Sequence, residues 1–449
     1  MKLFKLKEVL EKKQVKKRVL KAEFKNSNKK KENNVKIIGI TGSRGKSTTA
    51  LIIHNYLKYL GYKSVLYSSV MVDSPASILK KNEAYEVAVR DEESLISIIE
   101  EVEAYGAQYL VLEVNESSLS KGFLKDVPFD VRVLTNLNPK HNLEQYDEYQ
   151  YVNLKKSFFK DIDDECKCVI GFQDYSKELL NELLKLNNYP KFVCASNYIA
   201  TLKGLEREKV TCLLTGLDNE LSGMKLQFKL NEYTYNMQTS LLMSYNALNI
   251  LTALTTLEVL GVLNVNRFEK SLEKLVIPGR AEVFRFKDRL IIVDTHLPAM
   301  LEYLKTLKEQ GKVDKIKVVI GSMGYGYKYW EERFKTEEFA KQRKDVRKYA
   351  MNLLKDTVDY AYLTESDSGK EDAMEICKEL QSYLDNDVSS TIIVDREQAI
   401  RQAILDSKRR DVILISGRGN RRLLCNSETT FKLVKDGDVV EKVIKELGW

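Results

Sequence analysis

The sequence predicts an α/β protein with two domains, each built on a largely parallel sheet. Three observations support this class. Short apolar runs alternate with helical patterns along most of the 449 residues. A glycine-rich loop follows the first apolar run, where a strand would pass into a helix. A Pro-Gly step at 278–279 interrupts the pattern, after which the alternation restarts.

The first domain is predicted to span residues 35–277 and to bind a nucleotide. Residues 192–240 alternate between apolar and polar and carry turn residues, which indicates an antiparallel excursion with hairpins. The other elements follow from buried apolar runs and helical periodicity. They are strands at 35–39, 109–114 and 131–134, and helices at 46 to about 60 and at 241–260.

The second domain is predicted to span residues 278–449 and to be a smaller, Rossmann-like unit. The charged stretch 331–356 has helical spacing and predicts an exposed helix. The remaining apolar runs predict parallel strands. These lie at 290–294, 317–321, 360–364, 391–395 and 412–417.

The positive charge of the chain is concentrated at its start. Residues 1–34 hold 13 Lys/Arg and 4 Glu, whereas the whole chain carries a net charge of +7. The favoured interpretation is a solvated basic arm, and the alternative is contact with an anionic partner or a membrane surface. No specific nucleic-acid contact is predicted. The arm has no signal-peptide core, and the six cysteines are scattered, so we expect a cytoplasmic protein with reduced thiols.

Residues 39–50, GITGSRGKSTTA, read as a phosphate-binding loop between a strand and a helix. The loop departs from the usual pattern, because Ile40 stands where the first glycine is expected. Glycines let the backbone approach phosphate oxygens, a lysine adds positive charge, and a hydroxyl can bind Mg²⁺. The predicted nucleotide-binding residues of the loop are Gly42, Ser43, Arg44, Gly45, Lys46, Ser47 and Thr48.

Three later polar residues are ambiguous when each is taken alone. Glu113 ends a predicted buried strand, at the sheet edge where ligands bind in such folds, and could either bind Mg²⁺ or cap the next turn. His141 in a polar loop and Lys155 in a charged helix are each typical of a protein surface.

Taken in order, these elements resemble the Mur ligase superfamily, most closely its muramyl-tripeptide synthetase branch. The loop of that family, T-G-T-N-G-K-T-T, also lacks the early glycine. The family's E-V-S-S, T-N-L-S-x-D-H, Y-x-x-A-K, F-N-x-x-N, P-G-R-x-E and D-Y-A-H-x-P elements are matched at 113–116, 135–141, 151–155, 245–249, 278–282 and 294–298. The last two elements of the family, D-R-x-x-A-I and D-x-x-L-x-x-G-K-G-H-E, are similar to the stretches that begin at residues 395 and 411. The resemblance therefore covers roughly residues 35–447.

The resemblance implies an ADP-forming ligase that activates a carboxylate as an acyl phosphate and joins it to an amine. It implies ATP and two Mg²⁺ ions, the first held by Ser47 and Glu113. The second would be held by His141 and Lys155, with the lysine carbamylated.

The resemblance also assigns residues beyond the loop. Asn246 and Asn249 would contact the adenine, and Asp294 the ribose. Arg280 would reach the phosphates at the junction of the two domains. The residues expected to act in catalysis are Lys46, His141, Lys155 and Arg280.

The substrate-binding elements depart from the family pattern. Only about 34 residues precede the loop, too few for the N-terminal uridine-nucleotide domain of that branch. The family's D-N-P-R, which reads diaminopimelate through its arginine, is replaced at 366–369 by Ser-Asp-Ser-Gly. G-G-D-R-D-K and G-K-G-H-E are changed at 324–328 and 417–421, and Lys140 replaces an aspartate.

We therefore expect an ATP-dependent ligase acting on an amino acid and a carboxylate-bearing peptide or nucleotide-linked peptide, in peptidoglycan or other peptide biosynthesis. The Arg-Gly-Lys-Ser-Thr wording at 44–48 is also seen in poly-γ-glutamate synthases, which form the first alternative. The others are a P-loop ATPase or switch without ligation, and a degenerate partner subunit.

Overall fold

The computed structural model describes residues 35–448, with gaps at 76–90, 125–126, 139–145, 161–165, 174, 187–189, 197–199, 201–202, 205–209, 327–334, 422 and 426–430. The basic arm and His141 lie outside the described residues. Within the described part of the chain, no helix combines the length and hydropathy that crossing a bilayer requires.

Among the described residues, the first sheet contains ten strands, ordered β10-β9-β8-β7-β6-β5-β1-β4-β2-β3. The strands are β1 (Lys36–Thr41), β2 (Ser64–Tyr67), β3 (Val72–Asp73), β4 (Tyr109–Glu113), β5 (Val131–Leu134), β6 (Lys167–Phe172), β7 (Lys191–Ser196), β8 (Cys212–Glu220), β9 (Gly223–Leu230) and β10 (Tyr233–Thr239). β1 pairs in parallel with β4 on one side and with β5 on the other. The loop after β1 therefore opens at a point where the chain changes direction across the sheet, which is where α/β proteins bind ligands.

Helices cover both faces of the first sheet. They are α1 (Lys46–Tyr59), α2 (Glu92–Tyr105), α3 (Glu116–Ser120), α4 (Glu148–Ser157), α5 (Lys177–Lys185), α6 (Ser244–Val259) and α7 (Val265–Leu272). One apolar core lies between the sheet and α1, α6 and α7, and a second lies on the opposite face with α2, α4 and α5. Strands buried on both faces explain why β1 and β4 are continuous apolar runs.

In the described part of the second half of the chain, the second sheet contains six strands in the order β11-β12-β16-β13-β14-β15, all parallel except β11 with β12. They are β11 (Glu282–Phe286), β12 (Arg289–Asp294), β13 (Ile316–Ile320), β14 (Tyr360–Leu363), β15 (Ser389–Ile392) and β16 (Val412–Ser416). Its helices are α8 (Leu297–Glu309), α9 (Glu337–Lys355), α10 (Ala373–Leu384), α11 (Arg396–Leu405) and α12 (Asp436–Glu446). A separate pair, β17 (Leu423–Cys425) and β18 (Phe431–Leu433), follows β16.

The chain passes from the first sheet to the second within very few residues. Ile277 is buried in the core between the first sheet and α1. Gly279, with φ of +66°, packs against the loop after β16, and a Cβ on it would lie 2.1 Å from the backbone nitrogen of Asn420. Pro278 is therefore the only residue between an anchor in one sheet and an anchor in the other.

The α/β class with two sheets is confirmed, and two details differ from the sequence prediction. The antiparallel excursion begins at β8, because β7 pairs in parallel with both β6 and β8. The charged helix forms as α9, but it is not exposed all round, since Phe339, Arg347 and Met351 are buried. Residues 331–334 of that prediction lie outside the described chain.

Candidate active site

The glycine-rich loop connects β1 to α1 and depends on its glycines for space. Gly42 and Gly45 have φ values of +149° and +77°. A Cβ at Gly42 would lie 2.0 Å from Thr135 Oγ1, and one at Gly45 would lie 2.1 Å from Asn249 Oδ1. The helix that follows has Gly45 at its N-cap and no acidic residue in its first turn. Its first amides are therefore left to a bound anion, as at other phosphate-binding helix starts.

Residues after β5 hold the loop from the neighbouring strand. Thr135 Oγ1 donates to the carbonyl oxygen of Arg44 at 2.5 Å. The Asn136 side chain accepts from the Arg44 amide at 3.0 Å and donates to its carbonyl at 3.1 Å. The main chain of Arg44 is thus fixed, while its side chain remains exposed.

Ser47 and Glu113 meet beside the loop, as expected for side chains at the carboxyl edge of the sheet. Ser47 Oγ donates to Glu113 Oε2 at 2.8 Å. Ser69, in the turn after β2, donates to the same carboxylate through its amide at 2.8 Å and its hydroxyl at 3.2 Å. A hydroxyl and a buried carboxylate side by side are oxygen donors of the kind that Mg²⁺ prefers. No motif marks Ser69, so sequence reasoning had no signal for it.

Lys155 is buried at the same edge of the sheet, although its surroundings in the sequence are charged. Its side chain has 0% exposure, and its Nζ lies 2.7 Å from Glu116 Oε1 and donates to Thr41 Oγ1 at 3.1 Å. Glu116 also lies 4.0 Å from Lys46 Nζ. Lys46 Nζ itself donates to the carbonyl oxygen of Gly42 at 2.8 Å.

The charges of this cluster follow from its burial. Desolvation, with the nearby Lys46, lowers the pKa of Lys155 to about 8, against the attraction of Glu116. For Glu116 burial acts in the raising direction, but Lys46 and Lys155 outweigh it and bring the pKa to about 2. Both groups are therefore charged at neutral pH.

Asn246 and Asn249 bring α6 to the loop. Asn249 Nδ2 donates to Asn246 Oδ1 at 3.0 Å, and Asn246 Nδ2 donates to the carbonyl oxygen of Leu242 at 2.7 Å. Because Asn249 lies against Gly45, the two asparagines connect the start of α6 to the phosphate loop.

Arg280 lies two residues before β11, and Asp294 is the last residue of β12. Arg280 donates to Thr295 Oγ1 at 2.7 Å. Asp294 is buried and accepts from the amides of Ala281, at 2.6 Å, and His296. Burial raises the pKa of its carboxyl. We find both residues engaged with their own neighbours in the second sheet.

Two contacts join the second sheet to the loop region. The Arg44 guanidinium donates to the imidazole of His296, whose pKa is lowered to about 4 by burial and by the arginine charge. Asn420 Nδ2, in the loop after β16, donates to the carbonyl oxygen of Val70 at 2.9 Å. Val70 follows Ser69, so this second contact reaches the residues that hold Glu113.

The loop at 366–369 is held by an internal charge cluster. Asp367 has 0% side-chain exposure and pairs with Arg418 at 2.6 Å and Arg421 at 2.8 Å. It also accepts from the Cys425 amide at 3.0 Å. Burial opposes ionisation, but the two arginines hold the pKa of Asp367 below its usual value. The changed D-N-P-R and G-K-G-H-E elements are therefore joined to each other in this chain.

The structure thus brings together the loop residues, Glu113, Lys155 and Asn249. Within the described chain no group of three or more His, Cys, Asp or Glu is placed to hold a metal ion, and His141 lies outside it. Two further residues at this site were not predicted from the sequence: Glu116, and Tyr151, whose hydroxyl lies 3.0 Å from Ser43 Oγ. The feature that could have indicated Glu116 is its position, three residues after Glu113.

This fold and site define a two-sheet nucleotide-binding protein with a P-loop-like phosphate site. Two family models match the chain: the Mur ligase middle domain at 40–257, and the Mur ligase glutamate ligase domain at 279–419. The chain belongs to the Mur ligase family and is an ATP-dependent ligase.

Relatives of known name are similar along most of their length. The UDP-N-acetylmuramoyl-L-alanyl-D-glutamate–2,6-diaminopimelate ligase of Geobacillus kaustophilus is 27% identical over 424 residues, covering 92% of this chain and 79% of the relative. The UDP-N-acetylmuramyl-tripeptide synthetase of Borreliella afzelii is 25% identical over 421 residues, covering 89% and 76%. The diaminopimelate ligase of Rickettsia conorii is 24% identical over 415 residues, covering 91% and 80%.

Solved structures share the fold at lower identity. A UDP-N-acetylmuramoyl-L-alanyl-D-glutamate–2,6-diaminopimelate ligase superposes with a TM-score of 0.61 at 20% identity, covering 92% of this chain and 79% of that one. The folylpolyglutamate synthase of Thermotoga maritima has a TM-score of 0.61 at 15% identity, covering 88% and 89%.

Proposed function

We propose that this chain uses ATP to activate a carboxylate as an acyl phosphate and then joins it to the amino group of an amino acid. The observation that carries the proposal is the meeting of Lys46, Ser47, Glu113 and buried Lys155 at one sheet edge. In the first step a carboxylate must approach a triphosphate, so positive charge near the γ-phosphate lowers the barrier. Lys46 supplies that charge, and Arg280 would add to it when the two units close.

The residues beside the loop fit Mg²⁺. Ser47 and Glu113 would hold one ion, and their oxygens already lie 2.8 Å apart. Lys155 and His141 would hold a second, with Lys155 carbamylated. The lowered pKa of Lys155 supports this, because it enlarges the fraction of uncharged amine that can add to CO₂. Bound Mg²⁺ would neutralise charge on the reacting phosphates.

The two units proposed to act together are residues 35–277 and 278–449. Asn246 and Asn249 would contact the adenine and Asp294 the ribose. Closure of the second unit over the first would bring Arg280 to the phosphates and exclude water. The contact between Arg44 and His296 joins the two units beside the phosphate loop, which supports closure at this place.

The acceptor we propose is a carboxylate on a peptide or nucleotide-linked peptide, as the names of the relatives suggest. We propose the cytoplasm as the site of the reaction. We do not propose diaminopimelate as the amino acid that is joined. Loop 366–369 has no arginine, and its Asp367 is already paired with Arg418 and Arg421. The basic arm at 1–34 suits an anionic partner.

A γ-glutamyl ligase acting on a glutamate chain is the second candidate. The Arg-Gly-Lys-Ser-Thr wording at 44–48 favours it.

The test is ADP release by the full chain across the amino acids and diaminopimelate, with either a UDP-linked muramyl dipeptide or a γ-glutamyl peptide as acceptor. Release that needs both substrates supports ligation, and the productive acceptor separates the two candidates. Release that needs neither substrate identifies an ATPase, and no release with any pair identifies a partner subunit.

A further inference from the structure

Four ionised side chains surround the start of the phosphate loop. Two are positive, Lys46 and Lys155, and two are negative, Glu113 and Glu116. Their charges cancel, so these side chains give the phosphate site no net positive charge. Without Glu116 the same cluster would carry one positive charge.

The position of Glu116 is fixed by its neighbours. It starts α3, whose N-cap Asn115 accepts from the Ser118 amide at 2.8 Å. The hydroxyl of Tyr151 lies 3.3 Å from Glu116 Oε1, and the buried Lys155 Nζ lies 2.7 Å from the same atom. With 17% of its side chain exposed, the carboxylate stays beside Lys46 and cannot turn freely into solvent.

A fixed carboxylate beside the phosphate lysine acts differently on two forms of the same nucleotide. Metal-free ATP carries more negative charge than its Mg²⁺ complex, and at a few ångströms each extra charge in a partly buried site matters. We propose that Glu116 makes this site selective for the magnesium complex of the nucleotide over the metal-free nucleotide. The inference rests on the nucleotide site of the proposed function.

The sign of the effect is the same whichever form Lys155 takes. As an ammonium, Lys155 is already neutralised by Glu116. If Lys155 carries a carbamate, its charge becomes negative and adds to that of Glu116. In both forms the carboxylate of Glu116 disfavours a nucleotide that has not been neutralised by a cation.

The experiment measures the dissociation constant of the β,γ-imido analogue of ATP by titration calorimetry, in EDTA and in excess MgCl₂. For wild type we expect binding to weaken strongly without Mg²⁺. For Glu116→Gln, which keeps the size and removes the charge, we expect metal-free binding to tighten by about tenfold relative to wild type. The ratio of the two constants should shrink accordingly. Glu116→Ser tests the same loss of charge in a smaller side chain.

Two controls separate this role from general effects of charge or folding. Glu116→Asp keeps the charge and should keep the wild-type Mg²⁺ dependence. Glu182→Gln removes a carboxylate that pairs with Lys156 at 2.6 Å and is 58% exposed, and should change neither constant. The inference is overturned if neither neutral variant tightens metal-free binding, or if Glu182→Gln tightens it equally. Wild type that binds no nucleotide even with Mg²⁺ overturns the proposed function as well.

Discussion

Asn420 and Val70 are joined by a hydrogen bond of 2.9 Å that connects the loop after β16 to the turn after β2. The residue before Val70 is Ser69, whose amide and hydroxyl both donate to Glu113. The loop after β16 therefore contacts the residue next to Ser69, and Ser69 holds the proposed metal ligand Glu113.

Substituting Asn420→Ala removes this contact, and we expect kcat for ADP release to fall by about fivefold while nucleotide affinity stays within about twofold, since one such bond is worth about 1 kcal/mol. Steady-state kinetics and calorimetry measure the two effects. Asn236→Ala, on β10 away from the loop, is the control and should match wild type. An equal loss of affinity and of kcat in Asn420→Ala would contradict a role in closure.

Lys46→Ala should abolish acyl-phosphate formation, with ADP release reduced by about a thousandfold, because the charge that opposes phosphate repulsion is lost. Lys58→Ala is the matched control, since Lys58 lies on the same helix and pairs with Asp73 at 2.6 Å, with 52% of its side chain exposed. Ligation near the wild-type rate in Lys46→Ala would refute the mechanism.

Gly45→Ala should lose nucleotide binding, because its Cβ would lie 2.1 Å from Asn249 Oδ1 and the backbone has φ of +77°. Gly61→Ala has a similar φ of +88°, but its Cβ would meet nothing within 4 Å. The Gly61 variant should therefore lose only about 1 kcal/mol of stability and bind nucleotide normally. Calorimetry and denaturant unfolding test the pair, and equal binding by both variants would show that the close approach is unimportant.

Asp367→Asn should lower the free energy of unfolding by about 3–5 kcal/mol at pH 7, because it leaves two buried or half-buried arginines without their partner. The ionised Asp367 stabilises the fold fully above its unfolded pKa near 3.8, and this contribution is lost as pH falls through the lower folded-state pKa. The variant should therefore lose less stability than wild type between pH 4 and acid unfolding.

Urea unfolding at several pH values measures this difference. Asp385→Asn, which removes a 68% exposed partner of Lys355, is the control and should change stability by less than about 1 kcal/mol. Parallel pH curves for wild type and Asp367→Asn would contradict the pairing.

The strand, loop and helix around Lys46 could be predicted because each depends on local pattern. β1 and α1 lie close to their predicted bounds, as β5 does, since apolar runs and glycine spacing are local properties. The direction of β7 could not be predicted, because parallel pairing is decided by partners distant in sequence.

The burial of particular charged residues could not be predicted from the sequence either. Lys155 stands in a polar helix, and only contacts with Thr41 and Glu116 remove it from water. Arg347 lies in a helix rich in lysine, yet it is fully buried between Glu371 and Glu379. Such pairs are separated by tens of residues, and single-sequence periodicity does not record them.

The short passage between the two sheets limits how the molecule can move. Ile277 is fixed in one core and Gly279 is packed against Asn420, so only Pro278 lies between the anchors. Proline has a fixed φ, which leaves few rotatable bonds at this point. The loop that carries Asn420 lies beside this connection and also contacts Val70 of the first unit. We therefore expect substrate exchange to involve a rotation about Pro278 that breaks the hydrogen bond between Asn420 and Val70.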